Sequence, residues 1–186
     1  SEKPPALYDL TTLQRDANRL LGFTAQQTLD YLQNLYEKKL CTYPRTDSRY
    51  LTSDMAEGLP VLVNLVANAM PFRKGIAISC DAAAVINDKK VTDHHAVIPT
   101  RNIREADLTA LPVGERAILE LVALRLLCAV AQPYTFAETA VVVECAGAEF
   151  TAKGRTVKQP GWRALDAAYR ASMKSAPEQD GNSEDK

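Results

Sequence analysis

The chain has 186 residues, 46% hydrophobic and 24% charged, with a formal net charge of −1. That is enough apolar material for one domain with a true core, or for one domain and a piece of another. The near-neutral balance excludes the broadly basic surface common among nucleic-acid binders, so any positive patch must be local.

Residues 1–9, with two prolines, read as an extended lead-in. Residues 12–21 predict a short helix stopped by Gly22. Thr24 and Gln27 form a capping box for the next helix, in which Leu29, Leu32, Leu35, Tyr36 and Leu40 make a core-facing stripe. Thr52 or Ser53 is read as the cap of a third helix that Pro60 kinks or divides and Pro71 ends. A short helix is placed near 82–86, and residues 91–100 are a structured loop. Residues 113–131 are apolar on nearly every side, which predicts a central buried helix. The pattern then alternates, giving antiparallel strands at about 137–145 and 149–157 around a tight turn at Gly147. A lone hairpin is marginal in water, so this pair reads as part of a larger sheet. Trp162 anchors a short helix or edge, and from about Ser172 the chain is polar and acidic.

The fold class expected is α+β, mainly α. After the lead-in come a helical body over 10–134, a small antiparallel β segment over 135–171 and a disordered tail over 172–186. Cys41, Cys80, Cys128 and Cys145 form no CxxC pair and no zinc-finger spacing, which points to a reducing, cytoplasmic compartment. No run reaches the length of a membrane span and no signal peptide opens the chain, so no membrane partner is expected. The chain starts at Ser1, read as processing or excision from something longer.

Two stretches carry chemistry. In CTYPRTDSRY (41–50), Pro44 pushes Tyr43 into an extended conformation, and in an extended chain residues two apart point the same way. Tyr43 and Arg45 then project together. A tyrosine oxygen can attack phosphorus, and a guanidinium grips phosphate oxygens with two hydrogen bonds. Asp47 is placed either to position Arg45 or to handle a proton. Thr42, Thr46 and Ser48 offer hydroxyls for phosphate contacts. The bland alternative is a packed or interfacial tyrosine at a helix end. The second stretch, TDHHAVIPT (92–100), holds both histidines of the chain, His94 and His95. Histidine suits phosphate binding or proton transfer near neutrality; one of the pair is expected to be functional and the other structural. They lack the spacing and third ligand of a metal site.

YPRTDSRYL (43–51) and DHHAVIPT (93–100), with the TTLQRDANRLLGF region before them and PGW (160–162) after, resemble type IA DNA topoisomerases, in particular the bacterial topoisomerase III group. The resemblance implies a tyrosine nucleophile at Tyr43 that forms a 5′-phosphotyrosine on a single DNA strand and changes DNA topology without ATP. It implies scissile-phosphate roles for Arg45 and for His94 rather than His95, with Thr42, Thr46 and Asp47 in support. It also implies a winged-helix-like domain carrying the tyrosine and, in the β segment, one limb of an arch. The family's Toprim domain, with its Mg²⁺-binding acids, and its gate domain have no counterpart here; the chain contains no Asp-x-Asp. The expectation is therefore an internal fragment, inactive in cleavage alone, with no Mg²⁺ bound to it and with single-stranded DNA and the missing domains as partners. A non-catalytic single-strand-binding module is the alternative. A tyrosine recombinase would attach to a 3′-phosphate and spaces its motifs differently. Tyr50 and Tyr36 are possible base-stacking platforms, with core packing favoured for Tyr36. Arg49 and Arg101 are phosphate contacts or solvated surface.

Overall fold

The structure is a computed structural model and describes residues 1–175. Among them are five α-helices and one two-stranded sheet, in agreement with the α+β expectation: α1 Leu10–Leu21, α2 Ala25–Glu37, α3 Leu59–Ala69, α4 Val113–Ala129, β1 Thr135–Cys145, β2 Ala148–Gln159 and α5 Trp162–Ser175.

Local chemistry sets the boundaries. The Asp9 carboxylate caps α1 by accepting from Thr12 N at 2.6 Å, and Gly22 closes it in the left-handed region at φ 71°. The capping box at α2 is present: Gln27 N donates to Thr24 Oγ1 at 3.1 Å, and Thr24 N to Gln27 Oε1 at 2.9 Å. Pro60 divides the third helical stretch. Residues Ser53–Met55 make only a 3₁₀ turn, with no side-chain cap from Thr52, and α3 restarts with Pro60 in its first turn. There a missing N–H leaves no bond unmade.

Helix α4 is the hub, packing against α1, α2, α3 and α5. Ile118, Leu119, Val122, Leu126 and Leu127 are fully buried; each contributes about 1.5–3 kcal/mol through the apolar surface it removes from water. Its first turn holds a buried carboxylate, Glu115, which accepts from Asn34 Nδ2 at 3.0 Å and pairs with Lys38, so α2 and α4 are pinned where α2 ends. A second polar tie joins the lead-in to the body. Tyr8 Oη donates to Asp16 Oδ2 at 2.7 Å, Arg125 donates to Tyr8 Oη at 3.0 Å and to the Asp16 carboxylate, and Arg19 holds the other Asp16 oxygen at 2.7 Å.

The hairpin projects from this body. Ala146 and Gly147, at φ 52° and 80°, make the primed two-residue turn that matches strand twist. Val142 and Phe150 are 60% and 61% exposed on adjacent register positions, so the apolar side chains of the pair have no cover among the described residues. Two departures from expectation follow. Residues 162–171, grouped with the β segment, form most of α5, whose Leu165 and Tyr169 are buried against the helical body. Residues 172–175, expected in the tail, are its last turn, because the apolar spacing of Leu165, Tyr169 and Met173 continues the helix. The rest of the expected tail lies outside the described residues.

Candidate active site

The stretch 41–51 and the stretch 85–100, which includes a 3₁₀ turn at Asp88–Lys90, run side by side and are joined by hydroxyl groups. Thr42 Oγ1 donates to Ala96 O at 3.1 Å and accepts from Ile98 N at 3.0 Å. Thr46 Oγ1 donates to His94 O at 2.9 Å and accepts from Ser48 N at 3.1 Å. Ser48 Oγ donates to Lys90 O at 2.8 Å and accepts from Tyr50 N at 3.2 Å. Backbone bonds add Thr42 N to Ile98 O at 3.0 Å and Ala96 N to Tyr50 O at 2.9 Å. Pro44, Thr46 and Ser48 are buried, whereas Arg45 and Asp47 are exposed and Tyr43 is half-buried. Buried residues thus alternate with exposed ones from Pro44 to Ser48, across a bend at Pro44 where Thr46 N donates to Pro44 O at 3.2 Å.

The Tyr43 ring meets two others. His94 lies at 4.3 Å between centroids with a 36° tilt, and Tyr36 meets it edge-to-face at 5.5 Å and 82°. Beside this group is a cleft of about 490 Å³ bordered by Arg45, Asp47, Asp93, His94, Thr92 and Asp9. His94 thus touches Tyr43 on one side and shares the cleft with Arg45 and Asp47 on the other. Among the described residues no ion pair joins Arg45 to Asp47. His95 Nδ1 is 2.8 Å from Ala96 O, a contact in which the ring nitrogen must donate.

Three candidates hold the loop through their hydroxyls, and Thr46 also borders the cleft. Thr42, Thr46 and Ser48 each have only one hydroxyl proton to donate, and each gives it to a backbone carbonyl of the facing segment rather than to the cleft. Arg49 is half-buried, and its Nε donates to Leu7 O at 3.0 Å. Arg101 lies away from the cleft, beside the start of α3 in a separate cavity with Asp54 and Glu57. Tyr36 corrects the sequence reading: it is 40% exposed, not core. The buried face of α2 is centred on Thr28, Leu32 and Leu35, and at 100° per residue Tyr36 falls on its flank, free to reach Tyr43.

Among the described residues no group of three or more His, Cys, Asp or Glu side chains is placed to hold a metal ion. Asp9, Asp47 and Asp93 border one cleft without forming such a cluster, so this cleft does not by itself fit a Mg²⁺ ion.

A half-buried tyrosine packed against a histidine and a second tyrosine thus stands beside an arginine-lined cleft. The family model described as DNA topoisomerase matches residues 1–184, and the chain belongs to that family. It is 44% identical over 169 residues to DNA topoisomerase 3 of Bacillus licheniformis and to that of Bacillus subtilis, covering 87% of this chain and 23% of each relative. DNA topoisomerase 3 of Shouchella clausii is 41% identical over 167 residues, covering 86% and 22%. The chain thus spans under a quarter of the length of the curated relatives it matches. The structure of full-length topoisomerase I from Thermotoga maritima shares the fold, with a TM-score of 0.64 at 24% identity over 88% of this chain and 27% of that one. The likeness to type IA topoisomerases read from the sequence is borne out. No helix among the described residues is long and apolar enough to cross a membrane.

Proposed function

We propose that this chain is the nucleophile-bearing part of a type IA topoisomerase that breaks and rejoins a single DNA strand in the bacterial cytoplasm. Tyr43 Oη attacks phosphorus, forming the Tyr43 O–P bond as the P–O3′ bond breaks. The phenolic proton is lost, and the departing 3′ oxygen takes one up. The reverse attack by the 3′-hydroxyl reseals the strand, and the ester keeps the bond energy without ATP. Arg45 and His94 bind the non-bridging oxygens and stabilise charge that builds on them. Asp47, on the same cleft wall, either steers Arg45 or carries a proton. The Mg²⁺ that the family implies would have its ligands on residues outside this chain, and no step above runs through it.

The observation that carries the reading is the placement of Tyr43, stacked on His94 where His94 and Arg45 line one cleft. The test exchanges residues 1–175 for the matching region of the Bacillus subtilis relative. The exchanged enzyme should form a covalent adduct on the 5′ side of a nicked strand, and Tyr43→Phe should abolish it. The 186-residue chain alone should neither form the adduct nor relax supercoiled plasmid. An adduct on the 3′ side, or one that survives Tyr43→Phe, refutes the assignment.

A further inference from the structure

The loop that carries Tyr43 continues to Tyr50, and there the structure has a second concave surface. A groove of about 490 Å³ is walled by Pro4, Pro5, Val85 and Pro133 and presents Lys3, Arg49 and Tyr50. No aspartate or glutamate lines it. Neither Lys3 nor Arg49 has an ion-pair partner among the described residues. Arg49 uses its Nε on Leu7 O at 3.0 Å, a bond that aims the guanidinium without neutralising it. Lys90 adds a third positive charge, its Nζ 4.8 Å from the Tyr50 ring centroid and 3.4 Å from the Tyr50 hydroxyl. The Tyr50 backbone is held on both sides, its N–H on Ser48 Oγ and its C=O on Ala96 N. The ring is therefore mounted on a fixed base and little is lost in ordering it.

An aromatic face, apolar walls and unneutralised cations together match one class of ligand: a nucleotide segment whose base stacks and whose phosphates are bound as charges. We propose that this groove is a single-strand nucleic-acid subsite, on the same fastened loop as the nucleophile. A base stacks on the face of Tyr50 that Lys90 leaves open, and Lys3 and Arg49 hold the flanking phosphates. At no more than about 3.3–3.6 Å per residue, the seven steps from Tyr43 to Tyr50 cover at most ~25 Å. The groove is thus within reach of a strand seated at the cleft. The proposal rests on the strand-cleaving reading for its substrate.

The test is fluorescence anisotropy of a labelled twelve-nucleotide oligo-dT titrated with the 186-residue chain over a series of KCl concentrations. Tyr50→Ala should weaken binding about 5- to 150-fold, while Tyr50→Phe, which keeps the stacking face, stays within about twofold. Lys3→Ala, at an exposed position, should lower the salt slope by about 0.7. Should Tyr50→Ala disturb folding, an oligonucleotide carrying 5-iododeoxyuridine and the unaltered chain answer the question, since the photo-crosslink should map to Tyr50. No binding of oligo-dT, binding indifferent to both Tyr50→Ala and Lys3→Ala, or crosslinks confined to other residues would overturn the subsite. Failure here with the Tyr43 adduct intact in the exchanged enzyme removes the groove alone. Groove binding without any adduct removes the catalytic reading alone.

Discussion

Thr42→Val tests whether hydroxyls hold the reactive loop in shape. The substitution keeps the side-chain outline but removes an oxygen with two partners, Ala96 O at 3.1 Å and Ile98 N at 3.0 Å. Both partner residues are essentially inaccessible, at 0% and 1% exposure. Neither group gains water in exchange, so the Ile98 N–H goes unpaired and the Ala96 carbonyl loses a donor. An unsatisfied buried polar group costs about 1–3 kcal/mol, and two of them, one only partly deprived, sum to ~2–4 kcal/mol. For a chain of this size that lowers Tm by about 5–15 °C. Urea denaturation followed by circular dichroism gives the free energy. Asp47→Asn on the outward face of the same loop is the reference, with an expected change within ~0.5 kcal/mol. A Thr42→Val cost below that same limit would refute the claim that the inward hydroxyls fasten the loop.

Tyr36→Ala should leave the fold intact, because the ring is largely exposed, yet slow adduct formation at Tyr43 about 2- to 10-fold in the exchanged enzyme, the scale of one lost aromatic pair. Tyr36→Phe should restore the rate, and single-turnover cleavage measures both. Thiol titration with Ellman's reagent at pH 8 should modify exposed Cys145 at once, while Cys41 and Cys128 react only on unfolding; burial pushes the Cys128 thiol up to about 12 and the Cys41 thiol higher still. Burial alone would raise the Asp16 carboxyl, but hydrogen bonds from Arg19 and Tyr8 and the Arg125 charge outweigh it and hold it below its ordinary 3.8. Its contribution is therefore fully present above 3.8 and lost as pH falls through the lower folded value; acid titration of stability should be shallower in that window for Asp16→Asn.

The legible parts of the sequence were those set by local chemistry. The Thr24–Gln27 box, the Gly22 stop, the Pro60 break and the turn at Gly147 each depend on a few adjacent residues, and each is where the sequence placed it. The joint projection of Tyr43 and Arg45 required an unbroken extended chain, and the bend at Pro44, where Thr46 N bonds Pro44 O, was not legible from the proline alone. The roles of Thr42, Thr46 and Ser48 were not legible, because a hydroxyl's partner depends on which strand lies opposite, here one about 42–56 positions away. Tyr36 was misread because an apolar stripe does not reveal how wide the buried face is. The end of the chain was misread because composition at 172–175 is polar, while the packing that decides the helix comes from Leu165 and Tyr169 a turn or two earlier.

The exposure of the reactive face has an energetic consequence of its own. Arg45 and His94 lie open to water, while the loop beneath them is pinned. A guanidinium about 4 Å from a phosphate charge gains ~1 kcal/mol in bulk water but about 4 kcal/mol where the effective dielectric constant falls to 20. The difference of ~3 kcal/mol is worth roughly two orders of magnitude in rate if it acts in the transition state. An uncovered cleft forgoes that gain, however well its groups are aimed. On the proposed reading, the fastened loop supplies geometry, and a second surface closing over Arg45 and His94 supplies the low dielectric. For this reason the chain by itself is expected to bind a strand without cutting it, and attaching it to the remainder of a relative is expected to raise the rate of chemistry more than the affinity for DNA.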